Sequence, residues 1–543
     1  MAYQNWDDHD RSERYTAQSI SKSYLTSIQE DVGAIIFTIG DNDTFAIWYA
    51  QEIEGYRTDV RSINTQLLAT DWYIDQLKRR TYTSSPIPSQ LEHRQYAYGV
   101  RDYIKHEALL DSVRWTLNDF MRWVSSDQPR TQYKFLLEQY GVSTTNIPKS
   151  TQQMIYYPTN QIRVPVNKQN VLKSGVVKPE DADLIVDYID IDLPTSGLYK
   201  NRLMMLDILH NNDWERPIYF TGGSYDDSEY FWMKDYLQLD GLVYKLVPIK
   251  TPINPSNPYQ MGRIDANHMY DIVMGWDWGN SDSPDIYHDP ETRKNSISFR
   301  SNITRLANAL IEEEQTEKAI TVLDLAMEKM PIQSFGYYSL VSPIASAYYR
   351  AGAREKAQDI VLELAAGYQE YMRYYAQWDS DDQLALMEGL VGNVERYKSL
   401  VTEVVQAKDH KTLATIYNPF YESILPFSYI YGKYDFYTEL TPLVAGLYAA
   451  DQMELARELG GHVAQQYIDL LNRFLTLEKE QLTYFEMEIG IEVEAYKTLV
   501  STIKRNETDQ EVIENVQNTY CLLYTSPSPR DRGWSRMPSS AWK

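Results

Sequence analysis

The side chains best suited to chemistry form a dense polar cluster near the start of the chain. The cluster contains three carboxylates, an imidazole and two guanidinium groups: Asp7, Asp8, His9, Asp10, Arg11 and Arg14. Carboxylate oxygens and an imidazole could hold a divalent cation or form an acid/base pair. Because neighbouring residues point in different directions, at most two of them could converge on one ion. The residue pattern instead favours a helix start that the acidic residues cap, with the arginines pairing outward.

A second polar group, Asp41, Asn42 and Asp43, directly follows an apolar run. Asp43 or Thr44 could accept hydrogen bonds from the free amides of a helix that begins at Phe45. Asp41 then has no local duty. It is therefore the stronger candidate for contacting a substrate hydroxyl or a cation.

Three further residues belong to the same predicted edge. Asp71 stands with Thr70 where either could cap the next predicted helix. Gly222 and Gly223 close another apolar run in a polar turn. In an open parallel sheet, such turns line up along the carboxyl ends of the strands. We therefore expect the two glycines and residues 41–43 to share one cleft.

Composition and missing motifs exclude several classes of function. The formal net charge is -24 and the isoelectric point is about 4.8, which argues against nucleic acid and anionic lipid as partners. The sequence has no dinucleotide-binding glycine motif, no phosphate-loop lysine motif and no Gly-x-Ser-x-Gly. Its 1 cysteine, Cys521, permits no intrachain disulfide, and its 8 scattered histidines argue against zinc. The chain is expected to hold no cofactor, apart from a divalent cation at the acidic residues.

The order of strand and helix signals predicts the architecture. Apolar runs alternate with helical periods over residues 1–250, which predicts an α/β domain with a Rossmann-like parallel sheet. The predicted strands lie at 34–39, 59–68, 181–190 and 216–223, with an edge strand at 242–250 and a helix over 98–124. Residues 251–298 are predicted to be a linker that wraps the surface. Residues 519–543 are expected to be a non-native read-through tail, because they are rich in proline, serine and arginine.

Residues 299–518 are predicted to form an all-α, tetratricopeptide-like repeat domain. A first copy places large and small residues and a proline where that repeat needs them: Leu306, Ala307, Leu310, Ala319, Leu323, Ala326 and Pro331. A second copy repeats the scheme with Ile344, Ala345, Tyr348, Ala357, Val361 and Leu364, and a looser third copy is centred on Ala456. Such units stack into a superhelix whose concave face usually binds a protein or peptide, and the alternative is a packing spacer.

Four strings in the first half carry a resemblance to a known family. They are NWDDHDRSERYTA, GDNDTFAIWYAQEIEGYRTDVRSIN, LLATDWYIDQLKR and RPIYFTGG. In order and spacing they closely resemble the region that follows the membrane portion of bacterial proteins with domain of unknown function 2723. That family is classed in glycosyltransferase family 117, with membrane enzymes similar to protein O-mannosyltransferases. The resemblance covers residues 3–250 well and the helical part to residue 518 more loosely.

The resemblance implies a role and also a missing part. Family members begin with a multi-helix membrane domain that uses an acidic residue as base and a lipid-phosphate sugar as donor. This chain resembles the extracytoplasmic region alone, so no catalytic residue carries over to it. The expected location is the periplasmic face of the bacterial inner membrane, tethered through a missing N-terminal membrane domain. The expected partners are that domain, a glycan or polypeptide acceptor, and a protein or peptide on the repeat.

Two other functions remain open from the residues alone. The first is a freestanding, metal-assisted hydrolase that uses the Asp-rich loops, and the second is a non-catalytic scaffold that binds proteins. The hydrolase requires the cluster at residues 7–10 to approach Asp41 within about 8 Å, near enough to share an ion or a substrate.

Overall fold

A computed structural model describes most of the chain, in two compact units. The described residues are 11, 13–110, 112–222, 231–255, 260–427, 436–475 and 486–514. The units are Met1–Tyr337 and Tyr338–Lys543. Within the described residues, no helix combines the length and the apolar character that a membrane span requires. The predictions for Asp7, Asp8, His9, Asp10, Gly223 and residues 519–543 lie outside the described residues.

Short strands form three sheets in the described part of the first unit. The strands are β1 (Ile35–Thr38), β2 (Arg61–Asn64), β3 (Tyr103–His106), β4 (Trp115–Thr116), β5 (Tyr156–Tyr157), β6 (Gln161–Pro165), β7 (Tyr188–Asp192), β8 (Leu198–Tyr199), β9 (Ile218–Thr221), β10 (Leu237–Asp240) and β11 (Val243–Leu246). The main sheet has the order β10-β11-β9-β1-β2, and the two smaller sheets have the orders β5-β3-β8 and β4-β6-β7.

The main sheet is mixed, so the prediction of a parallel sheet is only partly correct. Strands β9, β1 and β2 run parallel, whereas β10 and β11 are antiparallel additions next to β9. Gly241, at φ +60°, and Leu242 form the tight turn that reverses the chain between β10 and β11. The prediction of an edge strand at 242–250 is therefore wrong, because β11 lies between β10 and β9.

The smaller sheets correct two further predictions. A continuous helix over 98–124 is wrong, since this segment contains β3 and β4 and is helical only at its end. Strand β3 pairs with β5 and β8, which come much later in the chain, so its own sequence carries little of the signal. The segment 181–190 contributes only the start of β7, which lies in a smaller sheet and not in the main one.

Helices cover the sheets of the first unit. The α-helices are α1 (Thr16–Thr26), α2 (Asp41–Glu52), α3 (Asp71–Leu77), α4 (His93–Tyr96), α5 (Leu117–Val124), α6 (Tyr133–Gln139), α7 (Lys149–Gln152), α8 (Lys168–Lys173), α9 (Lys200–Asn212), α10 (Ala266–Met274), α11 (Pro290–Glu312), α12 (Thr316–Lys329) and α13 (Ile332–Phe335). Short 3-10 segments lie at Leu67–Ala69, Pro129–Thr131, Pro179–Leu184 and Phe231–Tyr236. Residues 251–298 contain α10 and the start of α11, and Arg263 exchanges backbone hydrogen bonds with β10.

The core beside the main sheet joins α1 and α2 to the central strands. One cluster of buried residues consists of Leu25, Ile28, Ala34, Ile36, Ile47, Ala50, Val60, Tyr219 and Val243. Ile47 and Ala50 lie one helical turn apart on α2, so they face the sheet together, while Phe45 and Tyr49 on the opposite side are exposed. This packing fixes α2 and the turn that precedes it.

The described part of the second unit is helical. Its α-helices are α14 (Tyr338–Arg350), α15 (Arg354–Ala376), α16 (Ser380–Ala385), α17 (Met387–Gln406), α18 (His410–Ile424), α19 (Phe436–Ala449), α20 (Met453–Leu475) and α21 (Glu486–Asn506), with a 3-10 segment at Leu425–Phe427. All of the repeat positions predicted on α11, α12, α14 and α15 are buried, and so is Ala456 on α20. Pro331, which lies on none of these helices, is not buried. The helical second half is thus confirmed, whereas the tetratricopeptide repeat stays a prediction.

A half-buried carboxyl on α17 makes the second unit sensitive to pH. Glu403 Oε2 accepts a hydrogen bond from Ser342 Oγ at 2.9 Å, and burial raises the pKa of Glu403 to about 7. The folded chain therefore holds this proton to a higher pH than the unfolded chain does. The contribution of Glu403 to the free energy of unfolding is greatest below about pH 4. It declines as the pH rises to about 7, where this carboxyl ionises.

We expect Glu403→Gln to exceed the wild type in free energy of unfolding by about 2 kcal/mol at pH 8, and by much less at pH 5. Urea unfolding followed by circular dichroism at both pH values measures the difference. Glu388→Gln is the control, because Glu388 is exposed on the same helix. An equal pH response in the wild type and Glu403→Gln would contradict the assignment.

Candidate functional site

Three neighbouring parallel strands end at one edge of the main sheet. The carboxyl edge is defined here as residues 39–43, 64–65 and 221–222, which follow or end β1, β2 and β9. The hydroxyl of Thr221 donates a hydrogen bond to Asp43 Oδ2. The structure therefore brings Gly222, which follows Thr221, next to the turn at residues 41–43, while the shared cleft stays a prediction.

Asp43 is the structural lock of this edge. Its Oδ1 accepts the backbone N–H groups of Gly40, at 3.1 Å, and Thr44, at 3.0 Å. Its Oδ2 accepts the N–H of Ile39 at 3.2 Å as well as the Thr221 hydroxyl. Both carboxylate oxygens are thus engaged within the protein. Asp43 closes the turn between β1 and α2 and is a poor candidate for binding a ligand.

Helix α2 begins four residues earlier than predicted. Its first residue is Asp41, and Gly40 is the capping residue, whose N–H binds the carboxylate of Asp43 three residues later. This is the capping-box contact from the third helical position back to the cap. The predicted start at Phe45 was wrong. Gly40 and Asp43 are both suitable capping residues, so the sequence alone does not show which of them precedes the helix.

Asp41 and Asn42 are the exposed polar side chains of the carboxyl edge. Both lie in the first turn of α2, where free N–H groups and the helix dipole favour negative charge. Asp43, by contrast, is half-buried. Asp41 is thus the more exposed of the two carboxylates, and its role in binding stays a prediction.

A buried hydroxyl and amide network supports the edge from behind. Thr38 Oγ1 lies 2.7 Å from Thr44 Oγ1, which also accepts a hydrogen bond from Asn64 Nδ2 at 3.0 Å. Thr65 Oγ1 donates to the carbonyl of Thr38 at 3.1 Å. These contacts join β1, β2 and α2. This network was not predicted, and its one signal in the sequence is the polar residue that ends each of β1 and β2.

Asp71 has a separate structural role. It is the first residue of α3, and its Oδ1 accepts the N–H of Trp72 at 2.8 Å. Its Oδ2 accepts the N–H of Tyr98 at 3.0 Å, which ties the loop after α4 to the start of α3. Of the two residues predicted as possible caps, Thr70 occupies the cap position of α3, without a capping hydrogen bond from its side chain.

Arg11 and Arg14 are held by the start of α11. Arg11 Nη2 lies 3.4 Å and Arg14 Nη1 3.5 Å from Asp289 Oδ2. Asp289 is the N-cap of α11, and the hydrogen bond that it accepts from the Thr292 N–H, with the charges of the two arginines, holds its pKa below the usual range although burial raises it. The prediction that both arginines pair outward is wrong for Arg14, because its side chain is only 12% exposed.

A cavity of about 330 Å³ lies beside the open edge of β2, between α2 and α3. Trp48 and Glu52 of α2, Trp72 and Gln76 of α3, and Tyr82 of the following turn are among its lining residues. The sequence analysis missed this cavity because its walls come from separate elements. The one signal of a cavity in the sequence was a tryptophan on each of two predicted helices, Trp48 and Trp72.

Metal ligation has limited support among the described residues. In those residues, no group of three or more His, Cys, Asp and Glu side chains could hold a metal ion. The distance from the cluster at residues 7–10 to Asp41 lies outside what the structure describes. The cation stays a prediction that rests on the sequence.

Comparison with known proteins finds a family model that matches part of the first unit. Residues 17–268 match the family model described as TMEM260-associated domain 2, a family linked to membrane proteins similar to protein O-mannosyltransferases. The matched region contains the whole main sheet and the carboxyl edge. No curated protein and no solved structure matches the chain. The match indicates a module that is associated with a membrane protein.

Proposed function

We propose that this chain is the extracytoplasmic module of a membrane glycosyltransferase similar to protein O-mannosyltransferases. The match of residues 17–268 to TMEM260-associated domain 2 carries the proposal. The four strings that resemble proteins with domain of unknown function 2723 also support it, and three of them lie within the matched residues. In this proposal a separate membrane domain performs the transfer, and the present chain holds the acceptor or the membrane domain in place.

The carboxyl edge is the proposed contact surface for the acceptor or the membrane domain. Asp41 and Asn42 are exposed there, on a turn that Asp43 and the network of Thr38, Thr44 and Asn64 hold rigid. Rigid support is what a binding residue needs, since ordering a mobile side chain costs free energy on binding. A glycan or polypeptide acceptor offers hydroxyl and amide groups that a carboxylate and an amide can bind.

The helical second half is the proposed docking region for a protein or peptide. Its support is the tetratricopeptide-like pattern, whose predicted small and large positions are buried as such a repeat requires. A non-catalytic scaffold would use the same helices, so this part of the proposal does not separate the two functions. The test must therefore measure location and glycosyl transfer.

Replacing Asp41 and Asn42 together with alanine should lower glycosyl transfer by the protein that includes the membrane domain. We expect a loss of about tenfold, which corresponds to one charged hydrogen bond of about 1.4 kcal/mol. Thermal unfolding should change little, because both side chains are exposed. The control is Glu180→Ala, which removes an exposed acid from a different loop. Unchanged transfer in the double variant would overturn the role of the carboxyl edge.

Location is tested separately in cells. Protease added to intact spheroplasts should cleave the epitope-tagged module when the membrane domain is present. Cleavage only after lysis would overturn the extracytoplasmic placement.

A further inference from the structure

We propose that the cavity beside β2 binds a neutral pyranose ring, such as the terminal residue of a glycan. The inference rests on the proposed function for its biological setting, and it adds a ligand class and a second site to it. The argument comes from the position of the cavity, its size, its aromatic walls and its unpartnered polar atoms.

The cavity wraps around the last strand of the main sheet. Strand β2 pairs with β1 on one side only, and no other described strand pairs with it. Successive residues of a strand face opposite sides of the sheet. Ser62 is in register with Ile36, a residue of the core beneath α2, whereas Arg61 donates to the Leu77 carbonyl of α3 at 2.8 Å. Helices α2 and α3 thus flank the two sides of the open edge.

The open edge offers room for a compact ligand and not for a peptide strand. Gln51 Nε2 donates to the Val60 carbonyl at 2.9 Å, and Tyr73 Oη accepts the N–H of Asn64 at 3.0 Å. These side chains occupy the edge positions on both sides of Ser62. A peptide that added as a strand would need the same backbone groups. The volume, about 330 Å³, falls at the lower end of the range of roughly 300–1,000 Å³ for small-molecule sites.

Aromatic rings supply the walls. Trp72 and Tyr82 are 55% and 56% exposed, and Trp48 is half-buried. The face of an aromatic ring carries partial negative charge, while one face of a pyranose presents polarised C–H groups. Stacking of the two therefore combines apolar burial with electrostatic attraction. These exposed rings are grouped at one cavity and not scattered singly, which favours a role in binding.

Two residues that line the cavity each carry a buried polar atom without a partner. Arg61 and Ser62 are 5% and 8% exposed, and the described structure gives Arg61 Nε and Ser62 Oγ no hydrogen-bond partner. A buried donor without a partner costs about 1–3 kcal/mol, so a ligand that supplies the partner gains from it. The Ser62 hydroxyl reorients by rotation about one bond, and ring hydroxyls of a sugar both donate and accept.

The charges of the lining favour a neutral ligand over a phosphorylated one. Arg61 is the cation among the described lining residues, and its Nη2 is already committed to the carbonyls of Leu77 and Arg79. The carboxylate of Glu52 accepts a hydrogen bond from the Tyr82 hydroxyl and would repel a phosphate group. Glu52 and the exposed amide of Gln76 remain suited to sugar hydroxyls.

Tyr82 is held in a strained conformation at the rim. Its φ is 51°, in the left-handed region that costs a residue with a side chain of this size about 1–3 kcal/mol. The hydrogen bond to Glu52 ties this turn to α2, and a contact of 3.0 Å between Thr58 Oγ1 and Thr83 Oγ1 ties it to the loop that precedes β2. Tyr82 lines the cavity together with Trp48 and Trp72.

Titration of the purified 543-residue chain with mannose, glucose and N-acetylglucosamine, followed by tryptophan fluorescence, tests the proposal. We expect at least one of these sugars to saturate with a dissociation constant on the order of 1 mM. Trp72→Ala should weaken binding about tenfold or more, as loss of a central aromatic contact does. Tyr98→Ala is the matched control and should bind normally, because Tyr98 is 90% exposed and does not line the cavity.

Three results would overturn the proposal. They are the absence of saturation with all three sugars, tighter binding of mannose 6-phosphate than of mannose, and equal binding by the Trp72→Ala and Tyr98→Ala variants. Circular dichroism of both variants checks that they are folded. This titration does not involve the membrane domain. A negative titration would therefore not contradict the spheroplast and transfer results, and negative spheroplast or transfer results would not contradict the sugar site.

Discussion

Replacement of Lys245 by methionine is expected to lower the free energy of unfolding by about 3–5 kcal/mol. Lys245 Nζ lies 2.9 Å from Asp240 Oδ2, and both side chains are buried in the hairpin of β10 and β11. Burial would raise the pKa of Asp240, but Lys245 and His268 hold it well below its usual range. Without Lys245, a buried carboxylate loses its principal counter-charge.

Urea unfolding at pH 7 of Lys245→Met beside the double variant Asp240→Asn/Lys245→Met measures this effect. The double variant should recover most of the loss, because it leaves no buried charge behind. A lowered pKa contributes stability above the unfolded value of about 4, and that contribution disappears as the pH falls below it. The difference between wild type and Lys245→Met should therefore narrow in acid. A single variant within about 0.5 kcal/mol of wild type would refute the assignment.

The second large effect is expected at the turn before α2. Asp43→Ala should lower the free energy of unfolding by about 3 kcal/mol, since it removes the acceptor of three backbone N–H groups and one hydroxyl. Thermal unfolding and denaturant unfolding both report the loss.

Asp41→Ala is the matched control, because it removes an identical side chain two positions away that is exposed. We expect a change of less than about 0.5 kcal/mol for it. Equal destabilisation by the two variants would mean that Asp43 does not lock the turn. The pair also separates stability from binding, since only Asp41 is proposed to contact an acceptor or the membrane domain.

Much of the carboxyl edge was predictable, because local sequence determines it. The runs that form β1 and β9 are short and apolar, and each ends in a threonine where the structure ends the strand. The positions of β10 and β11 were not predictable in the same way. Their antiparallel pairing depends on the turn at Gly241 and on contacts with β9, which the hydrophobic pattern does not encode.

The candidate sites show the same division. Different roles for Asp41 and Asp43 were predicted because a helix cap needs only one carboxylate, although the predicted helix start was wrong. The cavity was not predicted, because Trp48, Trp72 and Tyr82 meet only when two helices and a turn pack around β2. The partner of Arg14, Asp289, is hundreds of positions away in the chain, and no local pattern indicates such a pair.

The two ends of the main sheet have a consequence for solubility at high concentration. Exposed strand edges invite a second molecule to add its own strand, which is a common route to aggregation. Gln51 and Tyr73 occupy positions along β2, and Arg263 occupies positions along β10 through its backbone. Each edge is therefore already hydrogen-bonded by the chain itself. Strands of other molecules should therefore not add readily to this sheet and form fibrils.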